Sequence, residues 1–218
     1  IQKAGGYTDN AYQFGAIYIN EDAKLINEKS KEILYQEFLD NIIAVSQQNI
    51  GGSFDLAPIV KLTEELKNTE TNGRVVVDLL DDSSINLYTV KEGDDLFIPE
   101  KNNVVYVYGE ISSEGAVMYS SNEGIEYFIN KSGGFKKFAD NESIYILHPN
   151  GESQLYRSKR NIFENSPRSQ VRVYPGSIIF VPKALDESAP RRLAAQAYVS
   201  ILGNLGIALA SLSAINDD

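Results

Sequence analysis

The 218-residue chain carries 20 basic and 30 acidic side chains, a formal charge of −10, with one histidine, no cysteine and no tryptophan. That acidity argues against non-specific binding to nucleic acid or anionic lipid, and the missing cysteine excludes disulfides, thiolate nucleophiles, Fe–S clusters and cysteine zinc sites. A single imidazole removes most histidine metal sites, so the composition tilts towards a binding or structural protein with no cofactor and no metal.

In chain order, the first feature is Ile1-Gln2-Lys3, with no initiator methionine, no basic leader and no apolar core of a signal peptide; a processed or truncated N-terminus looks the same. The segment Ile1 to Tyr7 matches Ile129 to Phe135 without a gap, offset by 128. A second match, Val90 to Pro99 against Val173 to Pro182, is offset by 83. The chain therefore reads as an internal repeat whose first copy carries about 45 extra residues between its two matched elements. Because Ile1 corresponds to a position inside the repeat's helix, the first copy is expected to be N-terminally truncated and the chain a C-terminal fragment.

The extra residues read as helical. From Glu21 to Gln48, Leu25, Ile26, Ile33, Leu34, Phe38, Ile42 and Ile43 fall on roughly one face. Ser53-Phe54-Asp55 offers an N-cap for a second stripe of Ile59, Val60, Leu62 and Leu66, which Asn72-Gly73 ends. The expectation is a helical hairpin over about 21–70, inserted between strands, with Arg74-Val75-Val76-Val77 resuming the sheet.

The second copy, 104–184, is complete. Val104 to Gly109 is a β-branched and aromatic strand. Gly124 to Lys131 is a short helix with Ile125, Phe128 and Ile129 on one face, stopped by Gly133-Gly134. Ile144 to Leu147 is a strand turned by Pro149-Asn150-Gly151, and Gln170 to Val173 and Ile178 to Val181 are expected as strands flanking Tyr174-Pro175-Gly176-Ser177. The expected shape is a small sheet wrapped round one helix.

The stretches AGGYTDNAY, NGRVVVDL, VKEGDDLFIPEKNNVVYVYGEI, SGGFKKFAD and VYPGSIIFVPK resemble the SLBB (soluble ligand-binding β-grasp) repeats of bacterial outer-membrane polysaccharide export proteins of the Wza and KpsD type. The resemblance implies an α+β fold of tandem β-grasp domains: a partial unit over 1–103, a complete unit over 104–184 and an amphipathic C-terminal helix over 189–216. It also implies a non-enzymatic component of capsular or exopolysaccharide export, located in the periplasm and outer membrane of a Gram-negative bacterium. The partners it implies are further copies of the chain in a ring, the polysaccharide in transit, an inner-membrane polysaccharide copolymerase and the outer membrane, with no nucleic acid. The alternative is a soluble periplasmic glycan-binding module that forms no conduit.

From Leu193 to Asn216 there is no charged residue, and a helix of that length spans roughly 36 Å, enough to cross a bilayer core. On a helical wheel Gln196, Ser200, Asn204 and Ser211 fall within about 80°. Tyr198, Leu202, Leu205, Leu209 and Leu212 lie opposite, with Gly203, Gly206, Ala210 and Ala214 between them. Two readings stand. One is a ring of helices with amides towards a wet lumen, small residues at helix contacts and leucines towards lipid. The other is a helix packed on its own core or on a neighbour.

The remaining chemistry reads as structural. His148, at a strand end before Pro149, is a turn residue rather than a catalytic base. Asp81-Asp82 and Asp94-Asp95 lack the alternating ligand spacing of a Ca²⁺ loop, and the Gly-Gly pairs lack phosphate-loop spacing. Residues 1–103 hold 9 basic and 18 acidic groups, and 104–218 hold 11 and 12. Lys136, Lys137, Arg157, Lys159, Arg160, Arg168 and Arg172 make the second copy nearly neutral. That asymmetry serves contact between subunits, attraction of an anionic polysaccharide, or nothing beyond an ordinary mixed surface.

Overall fold

The computed structural model describes residues 1–48, 57–80, 89–157 and 171–184. Its elements in order are β1 (Ile17–Ile19), α1 (Glu21–Gln48), α2 (Ala57–Asn68), β2 (Arg74–Val75), β3 (Asp95–Phe97), β4 (Val104–Gly109), β5 (Gly115–Met118), α3 (Ile125–Lys131), β6 (Ile144–Leu147), β7 (Ser153–Tyr156) and β8 (Ile178–Val181). They form a mixed α/β structure with two sheets, ordered β2-β1-β3 and β5-β4-β8-β6-β7.

The five-stranded sheet is built around a central parallel pair. β4 pairs with β5 as an antiparallel hairpin and with β8 in parallel, while β6 pairs antiparallel with β8 and β7. Alternation in β4 and β8 sends Val105, Val107, Ile179 and Val181 to one face, where Ile125, Phe128 and Ile129 of α3 cover them. The helix ends as expected: Gly134 N–H donates to Ile129 O and Gly133 N–H to Asn130 O, both glycines at positive φ, which is the Schellman arrangement. The opposite face carries Tyr145, Leu147 and Ile178, packed against Tyr106, Tyr108 and Phe180. This topology, a helix laid across a sheet whose two central strands run parallel, is consistent with a β-grasp.

Two strands of this sheet were not visible in the sequence. β5 and β7 are four-residue edge strands with every second residue exposed, too short to stand out by periodicity. The expected strand over Gln170–Val173 is not observed for its described residues. Val173 enters the core, but Val171 to Val173 join no ladder. The reason is topological: β8 is hydrogen-bonded to β4 on one edge and β6 on the other, so no edge remains for a hairpin partner.

In the smaller sheet β1 is central, antiparallel to both β2 and β3. Helices α1 and α2 pack on each other. The face that α1 turns inward is largely polar: Asn27 Nδ2 donates to Asn72 O at 2.8 Å and Lys31 Nζ to Thr69 O at 2.8 Å. Lys67 sits over the Tyr35 ring, 5.4 Å from its centroid. As a result Leu25, Ile26, Ile33 and Ile43 point to solvent, Leu25 and Ile26 at 61% and 64% exposure. Most of the apolar stripe expected on α1 is therefore its free face rather than its buried one.

The two sheets share a set of backbone bonds. The β1–β3 register pairs Ile17, Tyr18 and Ile19 with Phe97, Leu96 and Asp95. The β6–β8 register pairs Tyr145, Ile146 and Leu147 with Phe180, Ile179 and Ile178. The same two offsets, 128 and 83, relate the bridge Ala11–Glu100 to Ala139–Lys183. They also relate Tyr12 N–H→Pro99 O to Asp140 N–H→Pro182 O.

Phe128 is fully buried at the centre of the main core. Phe128→Ala is expected to cost about 3–5 kcal/mol in urea unfolding. Met118→Ala, on the exposed face of an edge strand, is expected to change stability by less than about 0.5 kcal/mol.

Candidate functional site

The features that chemistry can use gather at the turn into each sheet's last strand and where the two sheets meet. Each sheet's last strand is entered through a four-residue turn, Lys91 to Asp94 and Tyr174 to Ser177, closed by Asp94 N–H→Lys91 O at 3.2 Å and Ser177 N–H→Tyr174 O at 3.0 Å. The fourth residue caps the first: Asp94 Oδ2 accepts from Lys91 N–H at 2.7 Å, and Ser177 Oγ accepts from Tyr174 N–H at 3.0 Å. A neighbour from the preceding strand end then joins each cap. In the first sheet Asn20 Nδ2 donates to Asp94 Oδ1 at 2.7 Å, and Tyr18 donates its hydroxyl to Oδ2. In the second, His148 Nδ1 lies 3.4 Å from Ser177 Oγ.

These bonds set the electrostatics. The Tyr18 hydroxyl and the Lys91 N–H hold the Asp94 carboxyl below the usual carboxylate range, and the bond to Asp94 chiefly pushes the Tyr18 hydroxyl up. His148 is 3% exposed, and burial pushes its imidazole down against the opposing pull of Gln154 and Glu152. It is therefore neutral at pH 7. Ser177 is fully buried and already accepts from Tyr174, so the His148–Ser177 pair braces a turn and offers no accessible nucleophile.

The sheets are fastened by Arg74, the first residue of β2. Its Nη2 donates to Pro149 O, in the turn after β6, and its guanidinium lies against Gly151. Burial brings its pKa down to about 10, so it remains charged at neutral pH. Its Nε is buried with no acceptor among the described residues. Beside it, Phe14 packs on Tyr174 with ring centroids 4.4 Å apart, and His148 meets Tyr174 edge-on at 5.3 Å. A cleft of about 440 Å³ opens here, lined among others by Phe14, His148, Asn150, Glu152, Arg172 and Tyr174. Aromatic faces beside amide and charged groups are suited to holding a polar ligand through stacking and hydrogen bonds.

Of the residues singled out from the sequence, His148 occupies the strand-end position expected, and Asp94 serves the turn. Lys137 comes together with Lys183 over the Phe138 ring, Lys136 is exposed on the same loop, and Arg172 lies on the cleft. Lys159, Arg160, Arg168 and Asp81-Asp82 fall outside the described residues, as does the whole of 189–216 with its polar, small-residue and leucine stripes. Among the described residues no helix is long and apolar enough to cross a membrane. Sequence reasoning missed Arg74, Phe14 and Gly151. The only trace of the first is a cation opening a β-branched run.

Residues 104–156 match the family model of the SLBB domain. The second sheet is thus built on an SLBB domain. Two curated relatives, both polysialic acid transport protein KpsD of Escherichia coli, are 33% identical over 73 residues, 34% of this chain. Over that segment the chain is similar to these proteins, and the segment spans 13% of their length. The SLBB match covers β4 to β7 and α3. The cleft is lined by His148, Asn150, Glu152 and Gln154 of the matched segment, by Val171, Arg172 and Tyr174 beyond it, and by Phe14 and Asp78 of the first half of the chain.

Gly151 has φ +95°, and a Cβ there would sit 2.7 Å from Arg74 Nε. Gly151→Ala is expected to cost about 1–3 kcal/mol. Combined with Arg74→Ala, it should cost less than the sum of the two single changes, a coupling read from a four-variant unfolding cycle. His148 yields a pH prediction. Its folded pKa lies below the unfolded 6.5, so the unfolded chain binds the proton first. Stability should be full above about pH 6.5 and fall by up to ~1.4 kcal/mol per pH unit below it. His148→Gln should flatten that slope between pH 6.5 and 5 in parallel denaturant titrations.

Proposed function

We propose that this chain is a non-enzymatic structural component of a capsular or exopolysaccharide export channel that oligomerises in the periplasm and outer membrane. What carries this reading is the SLBB match over residues 104–156 together with 33% identity over 73 residues to a protein named for polysialic acid transport. In the same reading the two sheets are tandem β-grasp units, 1–103 and 104–184, the first carrying α1 and α2 as an inserted hairpin. Support comes from the common ladder offsets and from the paired turns at Asp94 and Ser177.

The segment 189–216 then supplies a ring of helices. Gln196, Ser200, Asn204 and Ser211 face a wet lumen, Gly203, Gly206, Ala210 and Ala214 lie at helix contacts, and Tyr198, Leu202, Leu205, Leu209 and Leu212 face lipid or a neighbouring subunit. The partners are further copies of the chain, the polysaccharide in transit and an inner-membrane copolymerase. A second reading, a glycan-binding module that forms no conduit, draws its support from the cleft between Phe14 and Tyr174, whose volume suits a sugar residue.

Two measurements separate them. Native mass spectrometry of the full-length protein in detergent should give a closed ring, and a stable monomer would reject the conduit. Truncation after Pro190 should abolish export while leaving the β-sheet units folded; unchanged export would remove the helix from the pathway.

A further inference from the structure

The loop that follows α3 and its counterpart in the first sheet share one backbone and carry different side chains. Gly6 N–H→Ile1 O recurs as Gly134 N–H→Ile129 O, and Lys101 N–H→Asn10 O recurs as Ala184 N–H→Phe138 O. Between those bonds the first loop presents Tyr7, Thr8, Asp9 and Asn10 beside Glu100; the second presents Phe135, Lys136, Lys137 and Phe138 beside Lys183. The first loop shows that the backbone forms without the cations. Folding therefore does not account for three lysines at this place.

Their arrangement is specific. Phe138 is 58% exposed, and two ammonium groups sit over its ring, Lys137 Nζ 5.3 Å and Lys183 Nζ 5.8 Å from the centroid. All three lysines are exposed, and none pairs with a carboxylate among the described residues. An exposed ring that gathers two cations lowers the freedom each must give up on meeting an anion. Like charges so close repel one another, and a polymer bearing anionic groups relieves that repulsion along its length. The field of the acidic first half reaches this loop only through screening of about 8–10 Å at physiological salt.

We infer that Lys137 and Lys183, ordered by Phe138, form with the neighbouring Lys136 a binding surface for an acidic polysaccharide, its carboxylates meeting the ammonium groups. This inference rests on the export reading, which supplies the polymer. Phe138 is a positioning residue; the lysines make the contact. An anionic bilayer would use the same cations, but within this loop only Phe135 and Phe138 carry large apolar side chains to enter it, so the polymer is the better fit.

The test uses the purified full chain and three probes: an oligogalacturonate, a neutral dextran of equal length, and vesicles of phosphatidylcholine with phosphatidylglycerol. The oligogalacturonate should bind at about 0.15 M salt, more weakly as salt rises, and the dextran should not. Replacing all three lysines by glutamine should weaken binding by roughly tenfold or more. Phe138→Leu, which keeps the lysines and the apolar volume, should weaken it by about fivefold. Asp9→Asn on the equivalent first loop should leave it unchanged. Circular dichroism melts establish that each variant is folded. Absence of oligogalacturonate binding, or affinity unaltered in the triple variant, overturns the inference; vesicle binding alone that the triple variant abolishes assigns the surface to lipid instead. Each of these results leaves the ring and truncation measurements standing, so failure here is distinct from failure of the export reading.

Discussion

The structure depends on β8 lying between β4 and β6. One strand of four residues is bonded in parallel on one edge and antiparallel on the other. Ile178, Ile179 and Val181 are buried as a result, and Phe180 half so. The parallel pair requires the chain to leave β4, make a hairpin, cross by α3, and return between strands already placed. α3 covers one face of the sheet in that crossing, and the aromatic layer of Tyr106, Tyr108 and Tyr145 fills the other. Gly109 marks how tightly β4 and β8 fit at their far end. It has φ +98°, and a Cβ would stand 2.1 Å from Val181 O, so no larger residue is tolerated without moving the pair.

Entry into β8 also determines the junction. The turn at Tyr174 to Ser177 must reverse within four residues, and Ser177 closes it from a fully buried position. That brings Tyr174 between His148 and Phe14, and Phe14 lies just before β1 of the other sheet. The equivalent turn at Asp94 is fastened differently, by a carboxylate with three donors. Where the turn stays near solvent an ion suffices. Where it is buried at a contact, a hydroxyl and a neutral imidazole avoid the cost of a desolvated charge. Arg74 is the exception, a cation held at the contact by a carbonyl, and it concentrates the junction's electrostatic cost in a single side chain.

Much of this architecture was legible in the residues. A gapless match between Ile1 to Tyr7 and Ile129 to Phe135, with a second between Val90 to Pro99 and Val173 to Pro182, carries the two offsets that the ladders keep pair by pair. The short apolar helix and its Gly-Gly stop also stood out, since both are local. What was hidden depends on distant chain. Gln170 to Val173 has the composition of a strand, and only the occupancy of both β8 edges denies it a partner. The stripe on α1 has helical spacing, but Asn27 and Lys31 find carbonyls on the far side and turn the apolar face outward. Arg74 bonds a main-chain oxygen 75 positions away, and a carbonyl leaves no signature in sequence. The stripes of 189–216 rest on periodicity alone.

The charge of the chain takes on a spatial meaning in this light. Its acidic excess lies almost wholly in the first 103 residues, the part holding the small sheet and the two helices. The second unit shares that sheet's ladder and turn geometry but is nearly neutral, and it turns two lysines of one loop and the adjacent Lys183 outward, none paired with a carboxylate among the described residues. Shared hydrogen bonds place the two loops alike, so the fold constrains them equally; their side chains are free to diverge because they are exposed. Divergence of this kind, cations and phenylalanines against an aspartate, an asparagine and a glutamate on one backbone, is where a repeated unit acquires a role its twin lacks. Packing explains the core of both units without reference to function. It does not explain Phe138, which leaves most of its ring in water and two ammonium groups above it, and that residue ties the second unit's surface to an anionic partner.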